Sequence, residues 1–137
     1  MIDKLPPEAR FINPSGLSKP LGYSHVVEVL SGRPVYISGQ VPVNWNGELV
    51  GGSNFALQAH QVFNNLRVAL ESVGATFNEV VKLNIYLLYM SHLAILRDIR
   101  NQYINMEKPP AITTIEITKL ASPSFMIEIE AIALLPN

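Results

Sequence analysis

The chain lacks cysteine altogether and carries few charged side chains for its length of 137 residues. Without cysteine there is no disulfide framework, no thiolate nucleophile and no cysteine-bound zinc. Charged residues make up 15% of the chain, against about 25% in a typical soluble protein. This number of charged side chains is small for the surface of a monomer, which favours an oligomer.

Long apolar runs and runs of basic residues are also missing. No apolar stretch approaches the roughly 18 residues of a membrane span, and the N-terminal "MIDKLPPEARF" lacks the apolar core of a signal peptide. The net charge is -1, and the ten Lys and Arg residues are scattered, whereas a nucleic-acid groove concentrates them. We therefore expect a cytoplasmic protein with neither a membrane nor a nucleic acid as its partner.

The motifs of several common enzyme classes are absent. His25, His60 and His92 are dispersed and form no pair at i and i+4, so the sequence predicts no metal site. There is no G-x-S-x-G and no phosphate-binding loop, which argues against a serine hydrolase or a nucleotide enzyme.

The chain is predicted to form one domain over residues 1–137, with a proline-rich lead-in through residue 20. The runs "YSHVVEVL" and "PVYISGQV" predict a β-hairpin that turns at "SGRP". Helical spacing then predicts a helix from an N-cap at Ser53 to Gly74, and a second from about Ser91 to Asn105. Between them "VVKLNIYLL" predicts a central strand buried on both faces.

The strands "AITTIEIT" and "FMIEIEAIAL" complete the order ββαβαββ. This order favours an α+β sandwich, with one mixed sheet and both helices on one of its faces. The other face would be uncovered and would carry Met126, Ile132 and Ile112 together with carboxylates. Such a surface favours a partner subunit, and a cleft between subunits would then contain the carboxylates.

Glu128 is the first candidate for catalysis. Alternation along the strand places it on one face with Met126, Glu130 and Ile132. A half-buried carboxylate has a raised pKa and can act as a general base or acid toward water. The alternative is a solvated or ion-paired strand glutamate. Glu116, assigned to the corresponding face of the preceding strand, is interpreted as structural.

Five sequence blocks carry a resemblance to a known family. They are "GYSHVVEV", "VYISGQVPVN", "GELVGG", "QAHQVFNNLRVALESVGATFNEVVKLNIYL" and "MIEIEAIAL", and their order and spacing resemble the reactive intermediate deaminase family, also called Rid or YjgF. The resemblance covers nearly the whole chain from about Asn13. It implies a chorismate-mutase-like α+β fold, a homotrimer and small-molecule pockets in the clefts between subunits.

The resemblance also implies an activity, with one departure from the family pattern. Active members hydrolyse 2-imino or 2-enamino acids without a cofactor, using an arginine of a P-A-R-[ST] motif to hold the substrate carboxylate. Here the motif reads Pro110-Ala111-Ile112-Thr113, so Ile112 replaces the arginine. Losing a bidentate charged contact costs about 3 kcal/mol or more, roughly a hundredfold in kcat/KM. We therefore expect a different ligand.

Other family positions are retained or exchanged. Tyr23 matches the pocket tyrosine, Ser38 the serine of the ISGQ block and Glu128 the glutamate that handles water. Arg100 replaces an expected asparagine, and we hypothesise that it restores a cation to the cleft; the alternative is a solvated helix arginine near Asp98 and Glu107.

Two functions remain open at this point. The first is cofactor-free hydrolysis of an imine or enamine to a carbonyl compound and ammonia, with Glu128 as the catalytic residue and Tyr23, Ser38, Arg100 and Ile112 facing the substrate. The second is a trimeric small-molecule-binding protein without catalysis, which Ile112 favours and Glu128 disfavours. The ribonuclease role attached to some family names fits poorly with the charge of -1.

Overall fold

The structure is a computed structural model that describes residues 7–137. The first six residues of the predicted lead-in lie outside the described residues. In chain order the described elements are β1 (Glu8–Ile12), β2 (Val26–Ser31), β3 (Arg33–Gln40), α1 (Phe55–Glu71), β4 (Val80–Leu87), α2 (Leu93–Arg100), β5 (Ala111–Glu116) and β6 (Ile127–Leu135).

The main sheet has four strands in the order β3-β6-β4-β5. Strand β6 runs antiparallel to both of its neighbours, whereas β4 and β5 are parallel and α2 lies in the connection between them. A parallel pair needs such a crossover, because a tight turn cannot return the chain to the same end of the sheet. The mixed sheet and two helices confirm the predicted α+β class.

One face of the sheet forms the core. The inward residues of β6, Ile127, Ile129, Ala131 and Ala133, are each at most 4% exposed, whereas Glu128, Glu130 and Ile132 are half-buried. This is the alternation expected of a strand with one buried face. Helix α1 contacts β3, β6 and α2, and it buries an apolar stripe against them, composed of Phe55, Ala59, Val62, Phe63, Leu66 and Leu70.

The first helix begins one residue later than predicted, and the second is shorter. Asn54, not Ser53, is the N-cap of α1, because its side chain accepts a hydrogen bond from the Leu57 amide. The α-helical part of the second element spans Leu93–Arg100 after a 3₁₀ turn at Met90–His92. Neither helix of the described part combines the length and apolarity needed to cross a bilayer.

The predicted hairpin between the first two runs is wrong. Strands β2 and β3 are separated by Gly32 alone, whereas a hairpin loop normally needs at least two residues. Strand β2 instead pairs antiparallel with β1, and β3 pairs with β6. Strand β1 lies within the predicted lead-in, so the sequence analysis missed it.

Gln58 fastens two loops to the start of α1. It is completely buried; its side-chain amide donates to the carbonyls of Gly52 at 2.7 Å and Ser124 at 2.8 Å, and its oxygen accepts from the Met126 amide at 2.8 Å. These three bonds satisfy a buried amide that would otherwise destabilise the fold. They also hold the chain in place two residues before Glu128.

Candidate functional site

Two carboxylates lie on the open face of the sheet, and their surroundings differ. Glu130 accepts hydrogen bonds from the Tyr86 hydroxyl at 2.7 Å and from the Asn84 amide at 3.0 Å. Within residues 7–137 no donor bonds to the carboxylate of Glu128. Glu130 is therefore fixed by two hydrogen bonds, while Glu128 is left available for a ligand or water.

Burial raises the pKa of Glu128, and the negative charge of Glu130 raises it further. The pKa of Tyr86 is also raised, first because its hydroxyl donates to Glu130, then by burial and by the charges of both glutamates. A carboxylate whose pKa is raised by burial and by a neighbouring negative charge is typical of acid–base sites. Glu128, which no described donor holds, is thus suited to exchanging a proton.

Ser38 lies on the same open face. It is exposed, and it lines an open cavity of about 440 Å³. Besides Ser38, that cavity is lined by Tyr36, Ile37, Lys82, Asn84, Glu130, Ala131 and Ile132. Tyr36 is 74% exposed in the single chain, so the open face presents a large aromatic side chain as well as polar groups.

A second group of candidate residues surrounds Arg100 at the end of α2. The segment that carries Tyr23 is tied to the residues preceding β5, because Ser24 bonds to the carbonyls of Pro109 and Pro110. Arg100 donates to the Leu21 carbonyl at 3.3 Å and to the Asn101 side chain at 3.1 Å. Tyr23 itself packs edge-to-face on His25.

The alternative of a solvated Arg100 is wrong, because the residue is only 4% exposed. No carboxylate in the described part of the chain forms an ion pair with it; the ion pair found there joins Arg10 and Glu28. Burial lowers the pKa of Arg100, and the nearby Arg97 lowers it further. A buried cation without a counter-charge is energetically unfavourable, and an anion would relieve it.

Gly22 makes room for the guanidinium. It has a φ of +77°, a conformation that favours glycine, and a Cβ at this position would overlap Nη2 of Arg100. Together with the main chain of Leu21, Gly22 therefore shapes the site in which this cation is buried.

Ile112 does not lie on the open face, contrary to the sequence prediction. In the parallel register it pairs with Leu83, which is fully buried, and its side chain packs against the core. Thr113 lies on the open face together with Ala111 and Ile115, and Lys82 donates to its hydroxyl at 3.0 Å. The alternation in "AITTIEIT" was therefore assigned to the wrong faces.

The same register corrects two further placements. Glu116 lies on the core side of the sheet, opposite Leu87, where its carboxylate accepts from the Met90 amide at 2.8 Å. That bond agrees with a structural role. Met126 packs against the core as well, which leaves Ile132 as the one apolar residue of the three named that lines the open-face cavity.

Ile112 and Glu128 do not meet within one chain. Ile112 and Ala131 both pair with Leu83 of β4, and Glu128 lies three residues further along β6. Strand rise and spacing put the backbones of Ile112 and Glu128 about 14 Å apart, with their side chains on opposite faces. A single cleft containing positions 112 and 128 would need residues from two chains.

The polar residues of β4 that pair with Glu128, Glu130 and Ile132 were not predicted from the sequence. Lys82, Asn84 and Tyr86 alternate with Leu83, Ile85 and Leu87 in β4, and only the second set is fully buried. This alternation contradicts the predicted burial on both faces, although β4 is an inner strand as expected. The alternation of polar and apolar residues in "KLNIYL" is the sequence pattern that indicates a polar face on β4. In residues 7–137, no three His, Asp or Glu side chains are grouped to hold a metal.

Comparison with known proteins identifies the family. Residues 17–135 match the sequence model of the family described as Endoribonuclease L-PSP. A RutC family protein of Pyrococcus abyssi is 34% identical over 117 residues, which cover 84% of this chain and 88% of that protein. The 2-iminobutanoate/2-iminopropanoate deaminase of Dermatophagoides farinae is 31% identical over 129 residues, covering 92% and 96%.

Solved structures agree with this assignment. The conserved Rid family protein YyfB of Yersinia pestis is 40% identical, with a TM-score of 0.82 and coverage of 93% of this chain and 98% of that one. The residues 17–135 that match the family model include Tyr23, Ser38, Arg100, Ile112 and Glu128. The chain therefore belongs to the Rid (YjgF-type) family.

Proposed function

We propose that this chain hydrolyses a reactive imine or enamine to a carbonyl compound and ammonia without a cofactor. The observation that carries the proposal is the unbonded carboxylate of Glu128, whose pKa is raised beside the anchored Glu130. A relative named as a 2-iminobutanoate/2-iminopropanoate deaminase supports this class of reaction.

In the proposed reaction Glu128 accepts a proton from water as the water oxygen attacks the imine carbon. The imine reacts as its iminium form, which has taken its extra proton from solvent, so a neutral tetrahedral carbinolamine forms. Glu128 then passes its proton to the nitrogen. The carbon–nitrogen bond breaks and ammonia leaves, while the hydroxyl group returns its proton to the Glu128 carboxylate and the carbon–oxygen double bond forms. A carboxylate with a raised pKa suits these proton transfers, because its pKa lies nearer to neutral pH and it can both accept and release a proton there.

The substrate is proposed to differ from ordinary 2-imino acids. Ile112 replaces the family arginine and packs into the core, so it offers no charge to a carboxylate. Arg100 is the proposed substitute, supported by its burial without an acidic partner in the described residues. Tyr23 and Ser38 are proposed to orient the ligand from the two sides of the cleft.

The active form is proposed to be a homotrimer. The open sheet face with its exposed Tyr36 needs a cover. The separation of Ile112 from Glu128 in one chain gives a second reason, and Arg100 is proposed to reach Glu128 from a neighbouring subunit. The expected cytoplasmic location stays a prediction.

Imine hydrolysis tests the proposal directly. A panel of imines is generated in place by amino-acid and amine oxidases, and semicarbazide competes for each imine, so that a fall in semicarbazone reports hydrolysis. We expect the native chain to accelerate the decay of at least one imine and Glu128→Gln to abolish the effect. Glu48→Gln, in an exposed turn, is the matched control and should behave as the native protein.

The rival function is small-molecule binding without catalysis, which the loss of the family arginine at position 112 favours. It predicts no acceleration on any imine, together with saturable binding of a ligand that Arg100→Ala weakens. The same panel therefore separates the two functions.

A further inference from the structure

The carboxylate of Glu128 occupies space that a side chain at position 39 would fill. A Cβ built on Gly39 would overlap Oε2 of Glu128, and it would lie 2.8 Å from Cδ and 3.1 Å from Cγ. Real Cβ atoms essentially never approach another heavy atom closer than 3.0 Å. Any residue larger than glycine at this position therefore displaces the Glu128 carboxylate or is itself displaced.

Backbone conformation does not require a glycine at this position. Gly39 is absent from the glycines with positive φ, which are Gly22, Gly32, Gly47, Gly51, Gly52 and Gly74. Its backbone is thus open to any L-residue. What limits the residue type at position 39 is the contact with Glu128.

The strand is also shaped at this point. Ile37 pairs with Ala131 and Gln40 pairs with Ile129, so β3 advances three residues where β6 advances two. One extra residue is accommodated at Ser38 and Gly39, as in a β-bulge, which bends a strand and redirects its side chains. The bulge brings the Gly39 main chain under the Glu128 side chain.

We propose that Gly39 is a positioning residue for Glu128, because its missing side chain leaves the space in which the carboxylate sits. The inference rests on the proposed function for its kinetic consequence. No donor in residues 7–137 bonds to the carboxylate. Its position therefore depends on the space that the missing side chain at Gly39 leaves open. A displacement of about 1 Å in a reacting group lowers catalysis on the order of a hundredfold.

Other charged and titratable groups face this site from the neighbouring strands. They are Glu130 on β6 and Tyr86 and Lys82 on β4, and the first two are fixed by their mutual hydrogen bond. The three heavy atoms nearest to a methyl group at position 39 all belong to Glu128. The substitution therefore acts most directly on that carboxylate.

The test is Gly39→Ala, with Gly16→Ala as the matched control because a Cβ at Gly16 meets nothing within 4 Å and its φ is not positive. On the imine that the native chain hydrolyses best, we expect Gly39→Ala to lower kcat about a hundredfold and to change KM less than threefold. Gly16→Ala should change neither. An unchanged kcat in Gly39→Ala would overturn the inference.

Stability measurements test the contact itself and need no turnover. Gly39→Ala should lower Tm in the native background, where the carboxylate must move, and should not lower it in Glu128→Ala, where the opposing side chain is gone. Equal losses of Tm in both backgrounds would show that position 39 contacts something else. The comparison of the two backgrounds remains informative if Gly39→Ala folds poorly, because the variant that combines Gly39→Ala with Glu128→Ala has room for the methyl group.

The pH dependence of Glu128 distinguishes failure of this inference from failure of the proposed function. Carboxyl ¹³C titration by NMR should show the pKa of Glu128 moving toward its ordinary value in Gly39→Ala, since the carboxylate is pushed toward solvent. If no imine is hydrolysed but this titration moves, the positioning stands and the proposed function fails. If imines are hydrolysed while titration and kcat are unchanged, the positioning fails alone.

Discussion

Replacing Arg100 by methionine tests whether the buried guanidinium serves the ligand or the fold. Methionine keeps the length of the apolar stem and removes the charge. The native side chain forms two long hydrogen bonds, at 3.1 and 3.3 Å, and no ion pair within the described residues. Each bond to a charged group contributes about 1.5–3 kcal/mol at good geometry, whereas burying an unpaired ion costs several kcal/mol.

The balance predicts that Arg100→Met leaves the free energy of unfolding unchanged or raises it by about 1–2 kcal/mol. The lowered pKa of Arg100 points the same way, because its surroundings disfavour the charge. For an anionic ligand the effect is opposite: losing a charged contact of about 3 kcal/mol weakens binding roughly a hundredfold. Stability and anion binding should therefore move in different directions.

Urea unfolding and calorimetry measure the two quantities. The calorimetric probes are 2-oxobutanoate and its uncharged counterpart butanone, and binding of the second should be the same in both proteins. Lys119→Met, at an exposed position outside α2, is the control for loss of one positive charge. A loss of more than about 2 kcal/mol in Arg100→Met alone, or undiminished binding of 2-oxobutanoate, would refute the reasoning.

Three further results are expected. Gln58→Leu removes three main-chain hydrogen bonds and should lower the free energy of unfolding by about 3 kcal/mol in urea; a loss below about 1 kcal/mol would contradict the role of Gln58 as a fastening between loops. Because the folded state raises the pKa of Glu128, it binds a proton more tightly than the unfolded chain, so stability falls as pH rises from the ordinary to the raised pKa. Glu128→Gln should therefore equal or exceed the native Tm at pH 7 and gain nothing at pH 4, and a lower Tm at pH 7 would contradict that sign. Native mass spectrometry should show three chains, and Tyr36→Glu on the open face should dissociate them; a monomeric native protein would remove the proposed cleft.

The local patterns of the sequence determined the class of fold and the leading carboxylate. Strict alternation in "FMIEIEAIAL" separates Ile127 and Ile129 from Glu128 and Glu130, since side chains of a strand point alternately to opposite faces. Helical spacing likewise predicted the helix that α1 forms. These features depend on residues close together in the chain, so they are readable without knowledge of the fold.

Pairing between distant segments was decided only by tertiary structure. The alternation in "AITTIEIT" defines two faces, but which of them is buried depends on the register with β4, and Ile112 was consequently placed on the wrong side. The partner of β2 is β1 and not β3, because one residue cannot form a hairpin loop.

The surroundings of the candidate residues were likewise beyond sequence reasoning. The burial of Arg100 depends on Leu21 and Gly22, which lie 79 and 78 positions earlier in the chain, and the space for Glu128 depends on Gly39 in another strand. The sequence by itself determined which side chains are apolar, charged or able to exchange a proton. Only the packing of distant segments decided which of those groups lie near one another, and hence how each is solvated.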